Sequence, residues 1–333
     1  MQIRKKLPHN IDKTDTFYKK ALELHFTVQG ITIYGMKLRF LRYICLILII
    51  LSNYSVLGAF ELEITAGVDG MTFHPDKKRP LSDSNEIFEP YPYGLANFNF
   101  KQDVTESIFF SINIERDKIL QNSLDLRVAS RTDRFKFEFG PFIGMTDDFE
   151  IPDIGVIGEL ELTFPGIFFI SISGSSTLGA QIDFLSSNSR QTAGAKAGFW
   201  LGSLIMSVSA NYKNLSRQKE EYLFVVDTLT RFGGSMDFYA KNSRTTGSFY
   251  GGYQIYSAEF IRGTLETSDK LNSWYAGAQL QWQVTQPLEL KIGFEIPFKH
   301  APVSSFTITE EFMLLSKIYA GFIYTFDDTG SGK

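Results

Sequence analysis

Apolar and polar residues alternate one by one along Leu288, Leu290, Ile292, Phe294, Ile296 and Phe298, with Glu289, Lys291, Gly293 and Glu295 between them. A period of two sends successive side chains to opposite faces of a strand, so the two faces of this segment meet different surroundings. The same pattern predicts strands near 60–74, 93–102, 106–117, 123–131, 134–143, 154–164, 167–175, 191–202, 205–213, 231–242, 246–257, 273–284, 288–298 and 315–326. That is fourteen strands, or twelve if 106–117 and 246–257 merge with their neighbours. Most run about 10 to 13 residues, longer than the common globular strand of about 5–6 and suited to crossing a bilayer at a tilt.

The connections alternate in length. Tight turns are signalled at Thr132-Asp133, Phe164-Pro165-Gly166, Leu201-Gly202-Ser203 and Thr285-Gln286-Pro287, all rich in the residues that punctuate hairpins. Longer polar connections fall at 75–92, 143–153, 176–190, 214–230, 258–272 and 299–314. One face of the strands is apolar, as in Phe135, Phe137 and Phe139, then Leu160, Leu162 and Phe164, then Phe168, Ile170 and Ile172. The other carries Arg134, Lys136 and Glu138, then Glu159, Glu161 and Thr163, then Ser171, Ser173 and Ser175. A sheet that meets lipid must close on itself, because an open edge leaves backbone groups without partners there. The expected fold is therefore all-β: a closed antiparallel transmembrane barrel of about fourteen strands. A soluble sandwich would alternate in the same way, but gives no reason for long and short connections to take turns.

Before the first strand, Met36-Lys37-Leu38-Arg39 and Arg42 open a basic region, Tyr43 to Leu51 is apolar, and Val56-Leu57-Gly58-Ala59 supplies small residues. This order is that of a secretory signal peptide, with cleavage expected after Gly58 or Ala59 and an apolar core shorter than the roughly 20 residues a spanning helix needs. The expected organisation is a leader at 1–35, which would lie outside the translated protein if synthesis starts at Met36, a signal-peptide helix at 36–59, and a barrel at 60–333. The single cysteine, Cys45, would leave with the signal. Disulfides and thiolate sites are then excluded from the mature chain.

Composition narrows the function. A formal net charge of −4 gives no basic surplus for a nucleic-acid backbone. Mean hydropathy of −0.07 is too low for a bundle of membrane helices, whereas a barrel passes because half of each strand faces a polar lumen.

The last strand ends Tyr319-Ala320-Gly321-Phe322-Ile323-Tyr324-Thr325-Phe326. It resembles the terminal signal of bacterial outer-membrane proteins, with Gly321, Tyr324 and Phe326 at the matching positions, Tyr319 in place of the polar residue, and a further tail from Asp327 to Lys333. In size and strand number the chain is similar to the monomeric fourteen-stranded porins. The resemblance implies recognition by the barrel-assembly machinery, a place in outer-membrane lipid after export through the inner membrane and periplasm, and a diderm envelope. A monomer is expected.

Alternation places Glu61, Glu63, Asp125, Glu138, Glu159, Glu161, Asp237, Glu289 and Glu295 inside, with Lys101, Arg127, Arg134, Lys136, Lys196, Lys213, Lys241, Lys291 and Lys317. The pore-lining set is expected to be Asp125, Arg127, Arg134, Lys136, Glu138, Glu159, Glu161, Glu289, Lys291 and Glu295. A two-residue turn at Thr132-Asp133 would face Arg127 with Glu138, and the turn at 285–287 would face Lys291 with Gln281 and Glu289 with Gln283. Barrel diameter grows with strand number and eight strands already make a filled interior, so an open channel is favoured over a closed lumen. The apolar stretch Tyr222-Leu223-Phe224-Val225-Val226 in the 214–230 connection could fold into the mouth or meet neighbours outside.

Catalysis, cofactors and metals are not expected. His74 and His300 fall at strand ends near the rim, and Asp76 near His74 invites an Asp and His pair, but two solvated histidines are the plainer reading. Asp147, Asp148, Glu150 and Asp153 form an acidic stretch without calcium-loop spacing. The expected function is a porin-like channel for passive diffusion of small hydrophilic solutes through a mixed-charge lumen. The rivals are a transporter of hydrophobic substrates resembling the fatty-acid channels, and a surface adhesin using loop 75–92 with Lys77-Lys78-Arg79, Tyr91 and Tyr93.

Overall fold

The computed structural model describes residues 59–80, 86–145, 153–178, 188–220, 223–239, 244–262, 265–300 and 315–326, with 71–91, 218–224, 260–269 and 299–300 described by backbone alone. The expected leader and the expected signal peptide up to Gly58, together with Lys241, the acidic residues Asp147, Asp148 and Glu150, and the tail after Phe326, lie outside these residues. So do the side chains of His74, His300, Asp76, Lys77 to Arg79 and Tyr91.

Fourteen strands form one closed antiparallel sheet. They are β1 (Phe60–Pro80), β2 (Glu86–Asp103), β3 (Ile108–Asp117), β4 (Gln121–Arg131), β5 (Phe135–Met145), β6 (Asp153–Phe164) and β7 (Phe168–Thr177). They continue as β8 (Ser189–Leu201), β9 (Leu204–Glu220), β10 (Leu223–Tyr239), β11 (Thr245–Arg262), β12 (Leu265–Thr285), β13 (Leu288–His300) and β14 (Lys317–Phe326). Each strand pairs with its sequence neighbours, and β1 closes on β14 from Phe60 opposite Phe326 to Asp69 opposite Lys317. On its other side β1 pairs with β2, and Ala59 extends that pairing by accepting from Asp103 N at 3.0 Å.

The distribution of polarity is inverted relative to a soluble protein. Phe137, Phe139, Ile170, Ile172, Leu290, Ile292, Phe294 and Phe298 all face outward and are exposed, while Glu295, Asp125 and Glu138 on the opposite face are buried. Burying apolar side chains is the main favourable term of folding, so an apolar outer wall is stable only where lipid replaces water. Closure leaves no unpaired edge in that lipid, and both features make the protein a transmembrane barrel.

The two barrel ends differ. At the end where β1 begins and β14 finishes, the connections are short, and Gly166 (φ 74°) and Gly202 (φ 65°) hold left-handed turn positions that cost glycine nothing. At the far end the hairpins rise well beyond the expected strands: 214–230 and 258–272 are mostly strand, as β9–β10 and β11–β12 pair out to Leu223 opposite Glu220 and Arg262 opposite Leu265. The apolar stretch from Leu223 to Val226 is therefore part of β10 and not a free loop. The β3–β4 connection at the same end departs from the long pattern in the other sense. Only Lys118 to Leu120 separate β3 from β4.

The β4–β5 connection is wider than a two-residue turn. Arg131 pairs with Lys136 and Ala129 with Glu138, so Glu138 does not face Arg127. The predicted turn at the β12–β13 end does set Gln281 opposite Lys291 and Gln283 opposite Glu289.

Candidate functional site: the lumen and the turn that crosses it

Because side chains alternate strictly, the register fixes which residues face inward. Asp125, Arg127, Lys136, Glu138, Glu159, Glu161, Glu289, Lys291 and Glu295 all belong to the inward parity of β4, β5, β6 and β13. Arg134 does not: it sits in the β4–β5 turn, fully outside the strands and exposed, where its carbonyl accepts from Thr163 N at 2.8 Å. The wider turn moves it out of the wall.

The inward charges are knitted into pairs of increasing reach. Lys101 Nζ meets Glu61 Oε1 at 3.0 Å on the adjacent strand. Lys136 Nζ bridges Glu138 at 2.7 Å and Glu159 at 3.6 Å, and Arg127 joins Asp125 at 2.6 Å and Glu138 at 3.4 Å. Arg127 thus still reaches Glu138, diagonally instead of directly across. Arg190 on β8 passes β7 to reach Asp153 on β6 at 3.2 Å, with Thr177 Oγ1 also donating to that carboxylate at 3.2 Å. Asp153, expected in an acidic loop, is consequently buried in the wall. Lys291 spans β14 to reach Glu63 Oε1 at 2.6 Å. Gly321 faces inward between them, and a Cβ there would strike the backbone of Ile64 and Thr65. Arg231 on β10 passes two strands to hold both oxygens of Glu295 at 2.7 and 3.2 Å, under a cation–π contact with Tyr275 at 4.9 Å.

Inward glycines also seat tyrosines. A Cβ at Gly293 would strike the Tyr319 ring, one at Gly277 the Tyr250 ring, and one at Gly233 the Tyr275 hydroxyl. These rings lie on the wall over bare backbone, which pins strand register. Tyr324 and Phe326, on the outward parity of β14, pack on Phe60 with ring centroids 6.2 and 5.3 Å away. Tyr93, which the adhesin reading would offer to an external partner, is buried beneath the Arg116 guanidinium at 4.8 Å.

The longest reach is across the lumen itself. Lys213 of β9 binds Asp117 Oδ2 at 2.6 Å and Glu115 Oε1 at 3.8 Å on β3, and β3 and β9 lie on facing sides of the sheet. The β3–β4 turn makes this crossing. Its backbone is locked by Asp117, whose Oδ1 accepts from Ile119 N at 2.8 Å and Leu120 N at 2.9 Å, a local bond that favours turns over continued strand. Gln121 adopts φ 59° to complete it. Ile119 and Leu120 then bury against Tyr256, Ala258 and Leu271 of β11 and β12 and against Leu315, with Leu229 alongside. Lys118 lies over the Tyr256 ring at 5.1 Å, and its backbone N–H donates to Asp69 Oδ2 at 3.4 Å.

Two cavities flank the turn. One of about 180 Å³ is lined by Asp69, Lys118, Ile119, Arg231, Tyr256 and Lys317; the other, about 200 Å³, by Leu120, Arg127, Ser173, Ser175, Arg190 and Thr192. Sequence reasoning missed the turn, Asp69, Arg190, Arg217, Asp227 and Arg231. Continuing the parity of Glu61 and Glu63 along β1 reaches Asp69, and that of Asp237 along the expected strand 231–242 reaches Arg231; Arg190, Arg217 and Asp227 required knowing that the predicted loops are strand. Among the described residues no group of three or more His, Cys, Asp or Glu could hold a metal ion.

No family model matches the sequence, and no curated protein matches it. Solved structures with similar folds include an outer membrane channel from Pseudomonas putida F1, at 10% identity and TM-score 0.45, covering 81% of this chain and 96% of that one. OmpT, an outer membrane protein of Vibrio cholerae, aligns at 9% identity and TM-score 0.37 over 80% of this chain and 96% of its own. A porin aligns at 9% identity and TM-score 0.38 over 80% and 100%. The closed register, the apolar outer wall and the short turns beside the start of β1 and the end of β14 define this protein as a fourteen-stranded barrel of the bacterial outer-membrane type.

Proposed function

We propose that the barrel is a passive outer-membrane channel for small hydrophilic solutes and ions, exported to and folded in that membrane with the help of barrel-assembly machinery. The observation that carries this reading is the pairing of an apolar outer wall with a charged and hydroxylated inner one that still encloses two cavities beside the β3–β4 turn. Polar cavities of this size take up water, and paired charges of both signs tune ion passage without sealing it. Drug-sized ligands occupy pockets of about 300–1,000 Å³, so each cavity suits smaller solutes.

Reconstitution into planar bilayers tests the proposal. Discrete conductance steps are expected, and Lys136→Glu should move the reversal potential toward cations. A folded, heat-modifiable protein that stays electrically silent would refute the channel.

A further inference from the structure

We infer that the β3–β4 turn divides the lumen into two parallel passages of unlike chemistry, instead of narrowing a single one. The inference rests on the channel reading and concerns how solutes would get past the turn. Three observations converge on it. The turn is seated on the opposite wall, since Ile119 and Leu120 are buried among residues of β11, β12 and the entry to β14. The cavities on its two flanks meet only at β3, the turn and β9: the first is otherwise built by β1, β10, β11, β14 and Leu315 before it, the second by β4 to β8, and the residues they share are Asn211 and Lys213. The hairpin contributes different residues to each side: Asp117, Lys118 and Ile119 line the first cavity, Glu115 and Leu120 the second. Lys213, tied to both Glu115 and Asp117, is the post to which the divider is fastened.

The two passages offer different surroundings. The first has Lys118, Arg231, Lys317, Asp69 and Asp117 against the apolar sides of Leu229 and Leu315. The second has Ser123, Ser173, Ser175, Thr192 and the Asn211 amide beside arginines already held by Asp125 and Asp153. Ions are best served by the first, where Lys118, Arg231 and Lys317 stand with the carboxylates of Asp69 and Asp117. Small uncharged polyols are best served by the second, where hydroxyls and amides replace the hydrogen bonds a polyol gives up on leaving water.

Obstructing each side separately tests this. Ser173 is exposed to the lumen, so Ser173→Trp fills the second passage without displacing core. Leu229→Trp fills the first, with Leu229→Phe as its substitute should the tryptophan variant fail to fold. Each single variant should lose roughly half of the single-channel conductance or of the glycerol-driven swelling of proteoliposomes, in proportion to two cavities of similar volume. Leu229→Trp should fall mainly on ion conductance and Ser173→Trp mainly on glycerol swelling, and the double variant should lose nearly all of both. Complete loss of both readouts in either single variant would show one common path and overturn the inference, as would full retention of both in the folded double variant. If the unmodified protein and all variants are folded yet pass neither ions nor glycerol, the channel reading fails first and the division of a path loses its meaning with it.

Discussion

The β3–β4 hairpin and the β9–β10 hairpin follow the same alternating rule and end in opposite ways. Strands β9 and β10 have 17 residues each and pair out to Leu223, so their apolar residues are absorbed into a tall ribbon of wall. Strands β3 and β4 have 10 and 11 residues, and their tip turns inward with Asp117, Lys118, Ile119 and Leu120 all buried. Alternation decides the face a strand residue takes. It says nothing of where a connection goes once the ladder stops. There, the seat waiting on the far wall decides, and for Ile119 and Leu120 that seat is an apolar patch inside an otherwise polar lumen.

Removing the apolar contact gives the sharpest test of that difference. Ile119→Ala or Leu120→Ala should each destabilise the folded barrel by about 2–5 kcal/mol, the usual cost of truncating a buried aliphatic side chain, measured by reversible urea unfolding in lipid vesicles. Val226→Ala in the tall hairpin, outward and only half-buried, should cost less than about 1 kcal/mol. Equal losses would mean that the turn is not seated in solution.

The ion pairs sharpen the contrast at a smaller scale. Lys213→Ala strips Asp117 of its partner, and Asp117 is only 7% exposed, so a loss of about 1–3 kcal/mol is expected from a buried acceptor left unmatched. Lys101→Ala removes a pair whose two side chains are each 40% exposed, and the same unfolding measurement should register about 0–1 kcal/mol.

The smallest effect expected is one of pH. Burial pushes the Lys118 ammonium, which lies in the turn and outside the membrane-crossing strands, down to about 8 despite the opposing pull of Asp69, Asp227 and Asp117, with Arg231 adding to the lowering. Its charge is therefore present below about 8 and lost above it. An unfolded lysine keeps its proton to about 10.4, so between these values the unfolded chain binds more protons and stability rises with pH. Raising the pH from about 7 to 9 should shift the reversal potential slightly toward cations, and Lys118→Met should remove that part of the shift. A shift that survives intact in Lys118→Met would place its origin elsewhere.

Much of this fold is legible in the sequence, for a simple reason. Phe135 to Phe139 and Leu288 to Phe298 carry their instructions locally, because period two and a lipid exterior leave one way to orient each residue. The same parity reaches nine of the ten residues expected on the pore wall. Arg134 is lost because a turn two residues wider than expected takes it out of the ladder. The loops at 214–230 and 258–272 misled because polar residues suit an aqueous lumen as well as a solvent-exposed connection; Arg217 and Asp227, joined at 2.8 Å, are wall residues for that reason.

By itself, then, the sequence determined the closed sheet, narrowed the strand number to twelve or fourteen, and gave the side of the wall for residues inside the expected strands. Only the tertiary structure decided that Lys213 meets Asp117, 96 positions away in the chain, that Arg231 passes two strands to Glu295, and that a three-residue turn crosses the lumen. Those contacts depend on closure, which brings β3 and β9 to face each other across the barrel interior, and no local periodicity encodes a distance measured through the middle of a barrel.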